Sequence, residues 1–368
     1  DETAESRVIL TAMLAQYYSH QPGERCRELG EWALARSDDF DPAARGQILE
    51  FVYRALGAWS PAERMLDLAR AKLDAAEREG VPVSRLTAMS VLRRAYLAVG
   101  DLARSDDVGR EYEAMVDALQ QPRFRAGAEQ RRAMRALFAG RFTEAEVHAE
   151  EAVTLQPTVE FLEGLAVQLF AIRFEQGRLV EVRDAVEAWA AAYDRPAWRL
   201  GYGTLLAEIG DHDGARAALA SSLAAGFADV PRDELWFLAL AASATIAVHL
   251  GDVDAAAPIY ELLGPHASRV IVAGEGALCW GSIHRHLGPL ASLLGETQRA
   301  SMHFESSMSM HERLGAQPFL ARDRLGYARL LRETGGDGVR SQALARTGLA
   351  IANQLGMRGV TERYSDLA

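Results

Sequence analysis

Lysine is nearly absent from this sequence. Of its 40 basic residues, Lys72 is the one lysine, and arginine supplies the others. A P-loop that binds nucleotide phosphates requires a lysine directly after a glycine, whereas Lys72 follows Arg70 and Ala71. The sequence therefore contains no P-loop ATPase, and an enzyme that forms a Schiff base on lysine is not expected.

Cysteine and long apolar runs are scarce as well. Cys26 and Cys279 are far apart and fit neither a disulfide framework nor the spacing of zinc ligands. Such use of cysteine is typical of a reducing compartment, so we expect a cytoplasmic protein. The most apolar stretch, residues 235–250, contains polar side chains and is shorter than the ~20 residues that cross a bilayer. We therefore expect no membrane span.

Signals for nucleic-acid binding, catalysis and metal binding are also weak. The formal net charge of -11 disfavours general binding to a nucleic-acid backbone. No Gly-x-Ser-x-Gly motif is present, and no clustered acidic pair or histidine–cysteine dyad forms a convincing catalytic pattern. Six of the nine histidines lie between His249 and His311, but their spacing favours packing and surface positions over a metal site. We expect no enzyme activity, no metal and no cofactor.

A recurring glycine is the main feature that the chain does have. Candidate turn glycines recur every 33 to 44 residues, and alanine or serine follows five positions later in six of seven cases. These glycines are Gly57, Gly100, Gly140, Gly177, Gly210, Gly251 and Gly295. Glycine ends one helix in a left-handed conformation, and a small residue lets the next helix lie close against the first. The pattern is typical of tetratricopeptide-like helical pairs.

Prolines between these units mark where one pair ends and the next begins. No linker rich in serine, glycine or proline divides the chain, so we predict a single continuous repeat domain over residues 1–368. The predicted fold is all-α, a right-handed α-solenoid of about nine helical pairs. The pairs cover residues 6–37, 43–80, 84–120, 124–155, 159–193, 197–226, 232–264, 275–315 and 319–356, with a carboxy-terminal cap over 357–368.

The first helices supply a candidate groove. Counting back from each turn glycine to the inward positions gives a row that is apolar in its middle and basic toward its amino-terminal end. The candidate groove residues are Phe51, Arg54, Arg94, Gln130, Met134, Phe174 and Thr204. Such a row suits a helical peptide or an amphiphilic small molecule with an acidic group in an open concave groove. Equally, the same positions form the core between repeats.

Two connections give a second candidate site. Residues 227–233 and 264–276 each join a second helix to the next first helix, so we expect both to project from the same edge of the solenoid. The candidate loop residues are Arg232, Asp233, Trp236, Arg269, Trp280 and Arg285. The charged residues form either a ligand pocket or an ion-pair lattice that fixes the loops. The tryptophans form either a ligand platform or part of the core.

Segments 227–236 (FADVPRDELW), 260–295 and 303–331 resemble the carboxy-terminal repeat region of bacterial, especially actinobacterial, signal-transduction ATPases. In that family, tetratricopeptide-like repeats follow a nucleotide-binding ATPase, and an adenylate-cyclase-like or LuxR-type DNA-binding domain is attached elsewhere. The maltose-responsive activator has a related architecture. The resemblance implies a sensor or regulatory arm that binds an inducer, a partner protein or its own ATPase. It implies no catalytic residues.

We therefore predict a non-catalytic ligand- or protein-binding module, the sensor or scaffold arm of a larger cytoplasmic transcriptional or signalling regulator. Its expected partner is a protein segment or a small-molecule inducer in the concave groove, and an ATPase or effector domain of the same parent chain is a further candidate. We expect no direct contact with nucleic acid or membrane. The alternative is a stand-alone enzyme with its active site in the groove, which buried groups with strongly shifted pKa values in a closed pocket would favour.

Overall fold

In the part of the chain that the structure describes, nine pairs of successive helices form the fold. The structure is a computed structural model that describes residues 2–193 and 195–367. The paired helices are α1 (Glu2–Ser19) and α2 (Arg25–Leu34), α3 (Pro42–Leu56) and α4 (Ala62–Glu79), α5 (Pro82–Ala98) and α6 (Leu102–Leu119), α7 (Pro122–Phe138) and α8 (Phe142–Leu155), α9 (Val159–Gln176) and α10 (Arg183–Ala192), α11 (Pro196–Glu208) and α12 (His212–Ala224), α13 (Trp236–Leu250) and α14 (Val253–Leu263), α15 (His284–Leu293) and α16 (Thr297–Leu314), and α17 (Gln317–Glu333) and α18 (Gly338–Leu355). The short helix α19 (Arg358–Arg363) follows. The prediction of an all-α solenoid of about nine pairs is confirmed.

Glycine followed by aspartate builds several of the bends within pairs. Gly100 and Gly210 have left-handed φ angles of 76° and 87°, which a residue without Cβ adopts at little cost. Asp101 and Asp211 follow them, and each side chain accepts a hydrogen bond from a backbone N–H at the start of the next helix. These donors would otherwise lack a partner. The bend is therefore encoded locally, one residue ending the first helix and the next starting the second.

The most apolar helix, α13, lies in the core. Residues on all sides of it are buried, including Trp236, Leu240 and Ile246, as expected of a helix that is hydrophobic all round. It has 15 residues. None of the helices in the described part of the chain combines the length and hydropathy needed to cross a bilayer.

A β-hairpin replaces the exposed loop that the sequence predicts over 264–276. Strand β1 (Val270–Ala273) pairs antiparallel with β2 (Leu278–Ser282). Three consecutive β-branched residues favour extended backbone at β1. The first helix of the eighth pair therefore starts at His284 instead of residue 275, and Trp280 lies on a strand instead of a helix. Nearly every strand residue is buried, so the connection does not project from the edge.

The hairpin fills the concave side of the solenoid. The amide Nε2 of Gln168 donates to the backbone oxygens of Ala277 and Gln130, at 2.7 and 2.9 Å. At the other side, the backbone N–H of Ser282 donates to Nε2 of His311, at 2.9 Å. The hairpin thus connects α7 and α9 to α16 across the interior. The predicted open groove is closed at this level.

Later repeats also cover the bends of earlier ones. His20 Nδ1 lies 3.2 Å from Asp233 Oδ2, a contact across 213 residues. The Arg269 guanidinium donates to the backbone oxygen of Gly57 at 2.7 Å, across 212 residues. Gly57 itself has a helical φ of -55°, unlike the other turn glycines. Successive turns of the superhelix are therefore in direct contact.

Close approach of later residues recurs at three further bends, those of Gly100, Gly140 and Gly177. A Cβ at Gly100 would overlap the sulfur of Met310, and a Cβ at Gly177 would overlap the backbone nitrogen of Gly359. Glycine at these bends serves two purposes, since it allows the left-handed turn and leaves room for the next superhelical turn.

Replacing Gly177 by alanine tests the contact between the turns. Gly210 has a similar positive φ, but a Cβ there meets nothing within 4 Å, so Gly210→Ala is a matched control for backbone strain. We expect Gly177→Ala to lower the free energy of unfolding by about 1–3 kcal/mol more than Gly210→Ala, as for an overpacked site. Urea unfolding followed by circular dichroism measures the difference. Equal losses in the two variants would contradict the stacked-turn contact.

Candidate functional site

Four of the seven candidate groove residues are buried inside the protein. Gln130, Met134, Phe174 and Thr204 are only 2–6% exposed. Met134 packs in a cluster with Phe138 and the hairpin residues Val270 and Cys279. The backbone oxygen of Gln130 accepts a hydrogen bond from the side chain of Gln168. Their positions fit the core interpretation, although Phe174 and Thr204 also line interior cavities.

The remaining three groove residues are half-buried near the amino-terminal end. Phe51 packs against the hydrophobic cluster of the first two pairs. Arg54 forms an ion pair with Glu50 at 2.9 Å. Arg94 lies with its guanidinium 5.9 Å from the ring centre of Tyr53. Both arginines border a cavity of about 100 Å³ next to the hairpin.

Most of the candidate loop residues hold superhelical turns together. The guanidinium of Arg232 lies between the rings of Trp59 and Trp236, 4.2 and 4.6 Å from their centres. Asp233 is buried and contacts His20. Arg269, described above, also lies over the Phe237 ring. Asp233 forms ion pairs with His20 and Arg195, as the lattice alternative predicts. Arg232 and Arg269 instead contact aromatic rings and a backbone oxygen.

Trp280 and Arg285 lie elsewhere, on the wall of a chamber between the later pairs. The chamber has a volume of about 460 Å³, is lined by residues of α9, α11, α13, α15, α16, α17 and α19, and is partly open to solvent. Phe174 is also part of its wall. The structure therefore brings together three residues that the sequence assigns to two different candidate sites.

Glu175 is the most deeply buried charge beside this chamber. It is 0% exposed, and its carboxylate accepts hydrogen bonds from Arg285 at 3.0 Å and from Arg322 at 2.7 Å. The remaining guanidinium donors bond to backbone, since Arg285 reaches the oxygen of Trp280 and Arg322 that of Phe174. A buried carboxylate requires such partners. The two guanidinium groups are held in fixed positions on the wall.

A second charged group lies on the same wall. Nη2 of Arg363 lies 2.9 Å from Glu208 Oε2 and 2.6 Å from His249 Nε2. His249 Nδ1 lies 2.8 Å from the backbone oxygen of Thr245, which orients the ring. Although burial disfavours its charge, the hydrogen bond from His249 and the charges of Arg363 and Arg322 lower the pKa of Glu208 to about 2. Glu208 therefore stays ionised at neutral pH.

His286 is a buried wall residue in a neutral state. Burial, and then the charge of Arg285, hold the pKa of His286 well below its usual value. Its Nε2 has no hydrogen-bond partner among the described residues. A buried polar atom without a partner costs about 1–3 kcal/mol. His286 is thus the wall residue with hydrogen-bonding capacity left over.

His311 and Cys279 lie near the chamber and resemble catalytic groups, and both are buried. His311 and Asp323 form a 2.6 Å contact, but the other ring nitrogen of His311 accepts the Ser282 N–H and the ring is 0% exposed. Burial raises the pKa of the Cys279 thiol to about 12, so it is not a nucleophile at neutral pH. The described residues therefore show no exposed pair of nucleophile and base at the chamber.

Metal-type ligands converge at a different place. Within the described ranges, such atoms come within 4.8 Å of one another in one group, formed by His20, Asp233 and Glu234. The guanidinium of Arg195 already pairs with Asp233 there. A cation would have to compete with that ion pair, so the residues do not fit a metal well.

The chamber residues that the sequence analysis missed are Glu175, Glu208, Arg322 and Arg363. Their contacts join residues 110 to 155 positions apart, so no local motif connects them. One local signal existed, since Glu175 follows an apolar run, Leu169 to Phe174, broken only by an arginine. An acidic residue at an inward position of such a run indicates a buried partner.

Comparison with known proteins gives no family. No family model matches the chain, and no curated protein matches it. The chain is similar to a protein in the crystal structure of the APC/C hetero-tetramer Cut9–Hcn1, with 14% identity, 92% of this chain and 83% of that chain covered, and a TM-score of 0.32. It is also similar to a circular tandem repeat protein with novel repeat topology and enhanced subunit contact surfaces, with 14% identity, coverages of 99% and 94%, and a TM-score of 0.16. At these scores, neither likeness bears on function.

Removing the charge of Glu175 tests the buried ion pairs. Glu175→Gln leaves two buried guanidinium groups without a carboxylate, so we expect a loss of about 3–5 kcal/mol in the free energy of unfolding. Glu296→Gln is the control, because its ion pair with Arg299 is solvent-exposed and contributes little to stability. Urea unfolding compares the two variants. Similar small losses would show that Glu175 is not held as described.

Acid sensitivity tests the buried histidines. Burial, and then the neighbouring His284, lower the pKa of His303 to about 4. The unfolded chain binds this proton near pH 6.5 and the folded chain only near pH 4, so the stability that His303 contributes is lost as the pH falls through that window. The loss reaches up to about 3 kcal/mol. We expect a smaller drop in unfolding free energy between pH 7.5 and 5 in His303→Gln, but an unchanged drop in the exposed control His212→Gln.

Proposed function

We propose that this chain is a non-catalytic binding module that holds a small molecule in the chamber between its later pairs. The observation that supports this proposal is the chamber of about 460 Å³, which falls in the 300–1,000 Å³ range of small-molecule sites. Fixed guanidinium groups, an ionised carboxylate and the unpartnered His286 lie on its wall. Such a wall provides the few placed polar groups that orient a ligand.

A small molecule fits this chain better than a protein segment. A helical or extended peptide needs a continuous groove along several repeats. Here the hairpin occupies the concave side of α7 and α9, and later repeats cover the bends of earlier ones. The chamber is lined by helices of the fifth to ninth pairs and suits a compact ligand.

The balance of charges on the wall indicates the class of ligand. Arg285 and Arg322 are offset by Glu175 and Asp323, and Arg363 is offset by Glu208. Because these positive and negative charges nearly cancel, the net charge of the wall is small. An acidic ligand therefore gains little electrostatic attraction. We infer that the ligand is a neutral or zwitterionic polar molecule with both hydrogen-bond donors and acceptors, instead of the acidic compound expected from the groove.

Catalysis is the second candidate, because the chamber does contain buried groups with shifted pKa values. Their direction argues against acid–base chemistry, since a general base works best with a pKa near the operating pH. The pKa of Glu208 lies near 2 and that of His286 lies well below its usual value, so both are weak bases. With these pKa values, Glu208 stays charged and His286 stays neutral at neutral pH, so both are constant hydrogen-bonding groups for a bound ligand.

The wider role is part of the same proposal. The resemblance of segments 227–236, 260–295 and 303–331 to repeat arms of signal-transduction ATPases supports a sensor or scaffold arm of a larger cytoplasmic regulator. In that setting, the ligand of the chamber would be the inducer, and an ATPase or effector domain of the parent chain would read the bound state.

A thermal-shift screen tests the proposal. The panel contains free amino acids, monosaccharides and nucleosides as polar compounds, and amphipathic helical peptides as protein segments. We expect a polar compound to raise the unfolding temperature, because a ligand at 100 times its Kd stabilises the folded state by about 2.7 kcal/mol. Titration calorimetry then measures Kd for each hit. Each hit is also incubated with the protein and analysed by mass spectrometry for turnover.

Ser292 allows a matched pair of variants. Its side chain lines the chamber and is half-buried, so Ser292→Phe fills part of the space while Ser292→Ala leaves it open. We expect Ser292→Phe to weaken binding at least about tenfold and Ser292→Ala to leave it nearly unchanged. Hits confined to peptides would contradict the small-molecule proposal, and product formation from a hit would establish the enzyme alternative.

A further inference from the structure

We propose that a second, apolar cavity beneath α10 binds one small aromatic molecule that carries a hydrogen-bond acceptor, and that α10 is the displaceable cover of this site. The cavity adjoins the polar chamber, and Thr245 and Trp280 belong to both walls. The lining and the expected ligand of this cavity differ from those of the polar chamber. The inference therefore goes beyond the proposed function and does not depend on it.

The size and lining of the cavity select the ligand. Its volume is about 160 Å³, and almost all of its surface is apolar. Residues from five elements line it, among them Val167, Phe170, Trp189, Trp198 and Leu238. An apolar cavity of about 150 Å³ in another protein stays free of water and binds benzene. A single aromatic ring with a short substituent therefore fits this space.

Two tryptophans indicate that the ligand carries a hydrogen-bond acceptor. The indole N–H groups of Trp189 and Trp198 are both shielded from solvent, and neither has a hydrogen-bond partner in the described part of the chain. Their rings are 5.7 Å apart and meet edge to face. A buried donor without a partner destabilises the folded chain, because it has lost its hydrogen bond to water. A carbonyl or ether oxygen of a ligand in the cavity, placed beside the two rings, would accept a hydrogen bond from one of these N–H groups after a small ring rotation.

Helix α10 is held more weakly than the second helices of the other pairs. None of its residues is buried, whereas α8 buries Phe142, Ala145, Ala149 and Ala152. Its inward residues Ala185, Val186 and Trp189 face the cavity. A helix that buries little surface moves away at low cost in free energy. Displacing α10 therefore opens the cavity without unfolding the repeats on either side.

Gly201 keeps part of the cavity empty. It lies inside α11, lines the cavity, and has no atom within 4 Å of an ideal Cβ position. Alanine is favoured over glycine at an interior helix position, because glycine loses more conformational entropy on folding. Gly201→Ala is therefore expected to fold at least as well as the parent chain, and a larger residue at this position would extend into the ligand space.

Nuclear magnetic resonance of the full chain with ¹⁵N-labelled tryptophan tests the proposal. The six indole N–H resonances are assigned with single Trp→Phe variants. Ethylbenzene and acetophenone are titrated as a matched pair, since they have similar size and only acetophenone carries a carbonyl acceptor. We expect saturable shifts of the Trp189 and Trp198 resonances with both compounds. Acetophenone should bind about 2- to 10-fold more tightly, as expected for one net hydrogen bond.

Cavity-filling variants supply the control. Gly201→Leu is expected to abolish the shifts and Gly201→Ala to retain them, while unchanged Trp32 and Trp59 resonances report that the fold is intact. If Gly201→Leu does not fold, Ala242→Leu fills the same cavity from α13. Absence of saturable shifts in the parent chain, or shifts that persist in a folded cavity-filled variant, would overturn the proposal. The polar-compound screen uses different ligands, so its outcome is independent.

Discussion

The carboxylate of Glu175 is the constraint on which the interior depends. It joins α9 to α15 and α17 through Arg285 and Arg322, at 3.0 and 2.7 Å, with no exposure to solvent. In an ordinary solenoid each repeat contacts only its neighbours. Here one buried charge connects the fifth pair to the eighth and ninth. Because a charge in the interior requires its partners, this group determines how far the later pairs turn back toward the earlier ones, and so determines the shape of the chamber.

The helical pairs could be predicted from the sequence because their signals are local. Gly100 with Asp101 and Gly210 with Asp211 each specify a bend within a few residues. The contacts between superhelical turns could not be predicted in this way, since His20 and Asp233 are 213 residues apart. The hairpin was missed for a related reason. Its β-branched residues indicated a poor helix, but only the contacts with Gln168 show that it lies inside.

The candidate site was predictable only in part. Trp280 and Arg285 were singled out for their residue type, and both line the chamber. Glu208 and Arg363 were not, because an ion pair across 155 residues leaves no pattern in either segment. Gln130 and Met134 illustrate the opposite error. A first-helix position that faces inward in an open solenoid becomes core when a hairpin and a later repeat cover it, and spacing alone does not distinguish these outcomes.

The contact between Gly177 and Gly359 has a consequence for how the protein folds. Folding of a repeat array is usually described as growth from any point, with stability the sum of nearest-neighbour terms. Contacts between the fifth pair and the last helix add long loops to this scheme, and closing such loops slows folding. The early pairs therefore complete their packing only after the carboxy-terminal helices have formed. During synthesis on the ribosome, the bends of the early pairs therefore stay exposed to solvent until the carboxy-terminal helices have been made and can pack against them.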